Sequence, residues 1–194
     1  SRPVWWLTSR FHFNFADHWY RDETRLNFGV LRVLNDDIVA VGGGFPPHPH
    51  RDMEIVSYVV DGHLSHEHRG VDGSTAKESL PRGSIQYMSA GRGVRHSEMN
   101  DDPNEAVRFL QLWITPDARG YTPNYGSRTF AAADRKDKLL RVVSGQTHAD
   151  SLTSPADGSV PIHQDAQIFV SELSQRGVRV PFPLREGRQA YIVC

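Results

Sequence analysis

The sequence predicts an all-β protein, a sandwich or a closed barrel, and three observations carry that prediction. Short apolar stretches, several of them alternating with polar residues, recur through the first 130 residues. Glycine and proline turns separate these stretches at near-regular spacing, as they do in barrels and sandwiches. No long stretch before residue 130 repeats its apolar residues with the period of a helix.

Taken in order, residues 4–7 and 11–15 alternate aromatic and polar side chains as a half-buried strand does. Residues 17–25 are polar and charged, and read as a loop. Residues 27–35 alternate again, and Asn35-Asp36-Asp37 has the composition of a hairpin turn. Residues 38–41 return as a strand into Gly42-Gly43-Gly44. That run and Pro46-Pro47 are expected to interrupt regular structure just before His48. Glycine allows backbone that other residues cannot adopt, and proline cannot pair in mid-sheet. Residues 54–60 form a β-branched strand that Asp61-Gly62 turns. Residues 83–89 make another, and Gly91-Arg92-Gly93 leads into His96-Ser97-Glu98. Residues 107–114 are the most strongly apolar strand.

Past Pro116 the chain turns to Gly, Tyr, Pro, Asn and Ser as far as Arg128, the composition of a connector. Residues 131–140 could hold one or two helical turns, and residues 168–173 and 189–193 read as strands. The last of these runs to Cys194 without a turn or polar tail, which would leave an open edge. The expectation is that the chain stops early or that partner strands come from elsewhere.

Composition excludes more than it assigns. Mean hydropathy is −0.50, and the 22 Lys and Arg against 23 acids favour neither nucleic acid nor an anionic membrane. No apolar run approaches a bilayer span, and the start has no signal-peptide layout. The single cysteine, Cys194, cannot form an intrachain disulfide, so a reducing, cytoplasmic setting is expected. No serine or cysteine has the surroundings of a nucleophile, and the glycine runs match no phosphate-binding loop.

The ten histidines are the informative number, because of where they fall. Side chains two apart on a strand share a face, so His48 projects with His50, and His96 with Glu98. Two such pairs on strands facing one another inside a barrel would bring three imidazoles and a carboxylate around one point. One His-x-His pair arises easily by chance on a barrel surface. Two same-face pairs, each beside a glycine-rich turn, are much harder to obtain by accident. A closed structural zinc site would ordinarily use cysteine, and these two pairs contain no sulfur. Three nitrogens and one oxygen suit a five- or six-coordinate ion with open positions. Iron(II) is the first choice, because His-plus-carboxylate sets resemble non-haem iron oxygenases; copper, nickel, manganese, cobalt or zinc would also accept imidazole. His63, His66 and His68 lie among charged residues past a turn and read as a solvated hairpin edge. His12 and His18 read as core or surface residues, and Asp36-Asp37 and Asp101-Asp102 as turn residues.

With these residues in view, the sequence resembles the pirin family of bicupins. The resemblance rests on Phe13-Asn14-Phe15-Ala16-Asp17, Leu31-Arg32-Val33-Leu34-Asn35-Asp36-Asp37, His48-Pro49-His50-Arg51-Asp52-Met53-Glu54, and the run from Met88 through Gly91-Arg92-Gly93 to His96-Ser97-Glu98. It covers residues 5–130 and, more thinly, the rest. It implies a cupin barrel over residues 1–130 with one metal on His48, His50, His96 and Glu98. It further implies a connector and the first part of a second, metal-free cupin over residues 131–194. Setting residues 189–193 beside 55–60 places Pro, Phe and Leu of 181–184 opposite the His48 and His50 pair. His68 stands where relatives often carry an acidic residue. The activity implied is a metal-dependent dioxygenase that opens flavonols such as quercetin, with Glu98 moving the hydroxyl proton. Relatives are also described as metal-dependent regulatory partners of transcription factors, so a binding module with a protein partner and no turnover is the alternative.

Overall fold

The computed structural model describes residues 4–13, 23–69, 75–148 and 152–194, and its regular structure is almost wholly strand. In chain order they are β1 (Leu7–Phe13), β2 (Leu31–Val39), β3 (Gly44–His50), β4 (Glu54–Asp61), β5 (His63–Arg69), β6 (Thr75–Pro81) and β7 (Ser84–Ser89). There follow β8 (Val94–Met99), β9 (Val107–Ile114), β10 (Asn124–Thr129), β11 (Leu140–Gly145), β12 (Val160–Ile162) and β13 (Gln167–Val170). A single helical turn, α1 (Ala132–Arg135), precedes β11, and another short turn spans Glu23–Arg25. Among the described residues no helix is long and apolar enough to cross a membrane.

Three sheets result, with strand orders β1-β2-β9-β4-β7-β10, β3-β8-β5-β6 and β12-β11-β13. The first two form the cupin jelly roll. Their inner faces meet over Val39, Val59, Leu64, Leu80, Val107 and Phe109, with Trp6, Leu7 and Phe45 packed against this cluster. Removing each of these large side chains from water stabilises the barrel by about 1.5–3 kcal/mol. The outer face of the six-stranded sheet is buried too: Val56, Ile85, Tyr87 and Ile114 pack against Val142, Val143, Val160 and Ile162 of the three-stranded sheet. Burial on both faces explains why β4 and β9 read as nearly continuous apolar runs. Glu54 crosses the same seam: its Oε1 accepts from Ser89 Oγ at 2.7 Å and lies 3.3 Å from Nδ1 of His163.

Four sequence expectations about the strands need correction. Asn35-Asp36-Asp37 is not a turn but the middle of β2, paired on both sides with β1 and β9. Its acids are held there by partners distant in sequence. Asp36 takes a bidentate grip from Arg108 at 2.7 and 2.8 Å, and Asp37 accepts from Ser9 Oγ. The reversal falls instead at Ala40–Gly43, where the Gly43 N–H donates to Ala40 C=O and Gly42 has a φ of 69°. Second, part of the supposed connector is β10, which pairs with β7 in full register from Asn124↔Ser89 to Thr129↔Ser84. Third, residues 189–193 form no strand. No described strand pairs with them; Tyr191 instead sets its ring 4.8 Å from that of Phe13 in β1, and Ile192 is 79% exposed.

The prolines before His48 do not end regular structure; they lie inside β3 and shift its register between Phe45 and His48. β3 is an edge strand, where a missing N–H leaves no gap in a ladder.

Candidate metal centre

His48, His50, His96 and Glu98 come from β3 and β8, which are hydrogen-bonded neighbours with His48 opposite His96. The two pairs therefore stand side by side on the inner face of the four-stranded sheet, rather than facing one another across the barrel as the sequence suggested. The alternation of the strands does the rest.

One ring nitrogen from each of His48, His50 and His96 lies within 4.8 Å of the others, close enough to hold one metal ion. His50 packs edge to face against His48, His96 and Trp113, the last at 4.8 Å. His48 Nδ1 points at Pro46 C=O, 2.8 Å away. A carbonyl can only accept, so Nδ1 carries the proton and a neutral His48 presents a bare Nε2. His50 Nε2 is buried with no hydrogen-bond partner among the described residues. Burial pushes His50 down to about 4, and its neighbour His48 adds to the effect. Burial also lowers His96 strongly. At neutral pH these two rings are uncharged, the form in which imidazole binds a metal ion.

Glu98 lies outside the group of three. It is 1% exposed, and both its oxygens are engaged: Ser57 Oγ donates to Oε1 at 2.7 Å and Gln111 Nε2 to Oε2 at 2.5 Å. Trp113 Nε1 donates to Gln111 Oε1 at 3.1 Å, so the amide can offer only its NH₂ to the carboxylate. Burial raises the Glu98 pKa above the ordinary range, and the two hydrogen bonds pull it back in part. Each oxygen keeps a further lone pair.

Sequence reasoning missed His66. The His63–His68 stretch is β5, seated between β8 and β6 rather than on a solvated edge. His63 is exposed, but His66 is fully buried, with Nε2 2.8 Å from Nδ1 of His96. Burial pushes His66 down to about 3. His68 stacks on Tyr125 at 3.8 Å. The signal was present: His66 and His68 repeat the two-residue spacing of the ligand pairs. Charged neighbours disguised it, because β5 turns those outward. Gln111 was likewise legible as the one amide inside the strongly apolar β9.

The family model described as Pirin matches residues 2–114. The chain belongs to the pirin family. A pirin-like protein of Caulobacter vibrioides is 40% identical over 188 residues, covering 97% of this chain and 75% of that one. A protein of Escherichia coli K12 named quercetin 2,3-dioxygenase is 40% identical over 164 residues, covering 84% of this chain and 64% of that one. Among solved structures, the E. coli bacterial pirin YhhW in complex with nickel(II) aligns with a TM-score of 0.71 at 38% identity. That alignment covers 86% of this chain and 65% of the E. coli chain.

Other residues of this pirin fall into place around the barrel. Asp102 is a turn residue as expected, its Oδ1 accepting from the Asn104 and Glu105 N–H groups. Asp101 pairs with Lys77 at 2.7 Å. His12 is half-buried against Tyr191, and His18 lies outside the described residues.

Proposed function

We propose that this pirin is a mononuclear metal dioxygenase that opens the heterocycle of flavonols such as quercetin. His48, His50 and His96 would hold the ion, with Glu98 as a fourth ligand or the proton acceptor beside it. Iron(II) is the first metal to test, with nickel close behind because a related pirin has been crystallised with it. A bound divalent ion would supply Lewis acidity, favouring the deprotonated form of the flavonol's chelating hydroxyl.

The observation that carries this reading is the cluster of three mutually close imidazole nitrogens inside a barrel. The name of the E. coli K12 relative supports the choice of substrate. The residues divide the work. The three imidazoles keep a site open on one side of the sheet. Glu98 takes the hydroxyl proton, and its raised affinity for protons brings it nearer the operating range of a general base. Ser57 and Gln111 hold that carboxylate in one orientation, and Trp113 fixes Gln111.

The test is oxygen consumption with a flavonol panel on protein loaded separately with iron, nickel, copper, manganese, cobalt and zinc. A Glu98→Ala variant is expected to lose turnover by about 10²–10⁴-fold, out of proportion to any loss of metal. Unchanged turnover in a metal-replete variant removes Glu98 from the chemistry. Loaded wild-type protein that consumes no oxygen with any flavonol, yet retains a protein partner in one oxidation state only, replaces the enzyme reading with a regulatory one.

A further inference from the structure

His66 is not one of the proposed ligands, yet it is fully buried and aimed at one of them. Its Nε2 meets His96 Nδ1 at 2.8 Å, while the far nitrogen of His96, Nε2, lies 3.0 Å from His48 Nε2. The chain of contacts ends at Pro46 C=O, which His48 Nδ1 reaches at 2.8 Å. Tyr125 stacks flat on the His66 ring, 5.1 Å between centroids and 11° between planes, and fixes how it can turn.

Each nitrogen pair needs one proton, and a neutral imidazole has one to give. With no ion and a neutral His48, the carbonyl of Pro46 dictates the whole order. His48 carries its proton on Nδ1, so His96 must donate from Nε2, and His66 must donate from Nε2 to His96 Nδ1. An ion bound through His48 Nε2 and His96 Nε2 forbids that order. His96 must then carry its proton on Nδ1, and the acceptor 2.8 Å away is His66 Nε2. The His66 proton then resides on Nδ1, which is buried and has no hydrogen-bond partner among the described residues.

We propose that His66 is a positioning residue for the metal centre: it accepts the Nδ1 proton of His96, holds that ring with Nε2 toward the ion, and exchanges tautomer with it when metal enters. This rests on His96 being a ligand. Partners of this kind raise ligand basicity and fix ring orientation, and removing one typically weakens metal binding about 10–100-fold.

Nitrogen-15 NMR of the histidine rings decides it on the whole, unmutated chain, metal-free and loaded with diamagnetic zinc. The expected result is His66 protonated on Nε2 without zinc and on Nδ1 with it. If His66 stays protonated on Nε2 while His96 Nε2 shows coordination, the positioning role is wrong and the metal site stands. If zinc shifts none of His48, His50 and His96, both fall. In parallel, zinc affinity by chelator competition should fall about 10–100-fold in His66→Phe, which keeps a ring but no acceptor, and recover largely in His66→Gln. Wild-type affinity in a folded His66→Phe protein overturns the proposal.

Discussion

Asp37 offers a prediction whose size follows from the fold. It sits in mid-strand on β2, 1% exposed, with Ser9 Oγ donating to its Oδ1. Burial pushes its pKa from 3.8 up to about 7. The Ser9 hydrogen bond pulls downward, while the negative charges of Glu98 and Asp36 push it higher. Between these two values the folded chain keeps a proton that the unfolded chain has released. Stability therefore falls as pH rises, by about 1.4 kcal/mol for each pH unit, and the penalty levels off at about 4 kcal/mol once the pH passes the folded-state value. Asp37→Asn preserves the shape and still accepts from Ser9, but cannot ionise. Urea unfolding of both proteins at equal metal loading, from pH 4 to pH 8, provides the assay. The two stabilities should be similar at pH 4, and the variant should gain steadily to about 4 kcal/mol over wild type at pH 8. A difference that does not change with pH would refute the reasoning, because it would mean that Asp37 is ionised in the folded protein throughout.

Two further predictions test the seam and the site. Ile162→Ala removes a fully buried side chain between the three-stranded and six-stranded sheets, and should cost about 2–5 kcal/mol in unfolding experiments. A loss below about 0.5 kcal/mol, on the order of a surface substitution, would show that the seam is loose. His50 resists protonation down to about 4 because it is buried, so the stability its neutral ring provides is lost as pH falls below the ordinary 6.5. Metal-free His50→Gln should accordingly gain on metal-free wild type by about 2 kcal/mol between pH 7 and pH 5. Parallel unfolding curves over that interval would place His50 in water.

Much of the barrel was legible along the chain because its strands carry their own evidence. Residues 107–114 form β9 as read, and the Asp61-Gly62 reversal joins β4 to β5, with φ at 75° for Gly62. These features are local: turn chemistry and alternation depend on neighbours a few residues away. The errors share a cause as well. Asp36 and Asp37 were misread because Arg108 and Ser9, which keep them in a strand, are far off in sequence. β10 was missed because Tyr, Asn, Gly and Ser pair on a sheet edge without an apolar pattern.

The candidate centre divides along the same line. By itself, the sequence determined that His48 and His50 share a face, that His96 and Glu98 share another, and that the chain is similar to pirins. Spacing by twos is a property of one strand, so one strand suffices to show it. That β3 lies beside β8, that β5 brings His66 against His96, and that Ser57 and Gln111 hold Glu98 were decided only when the strands paired. Register is a relation between distant segments, selected by burying Leu64, Phe109 and their neighbours together, and no single segment encodes it.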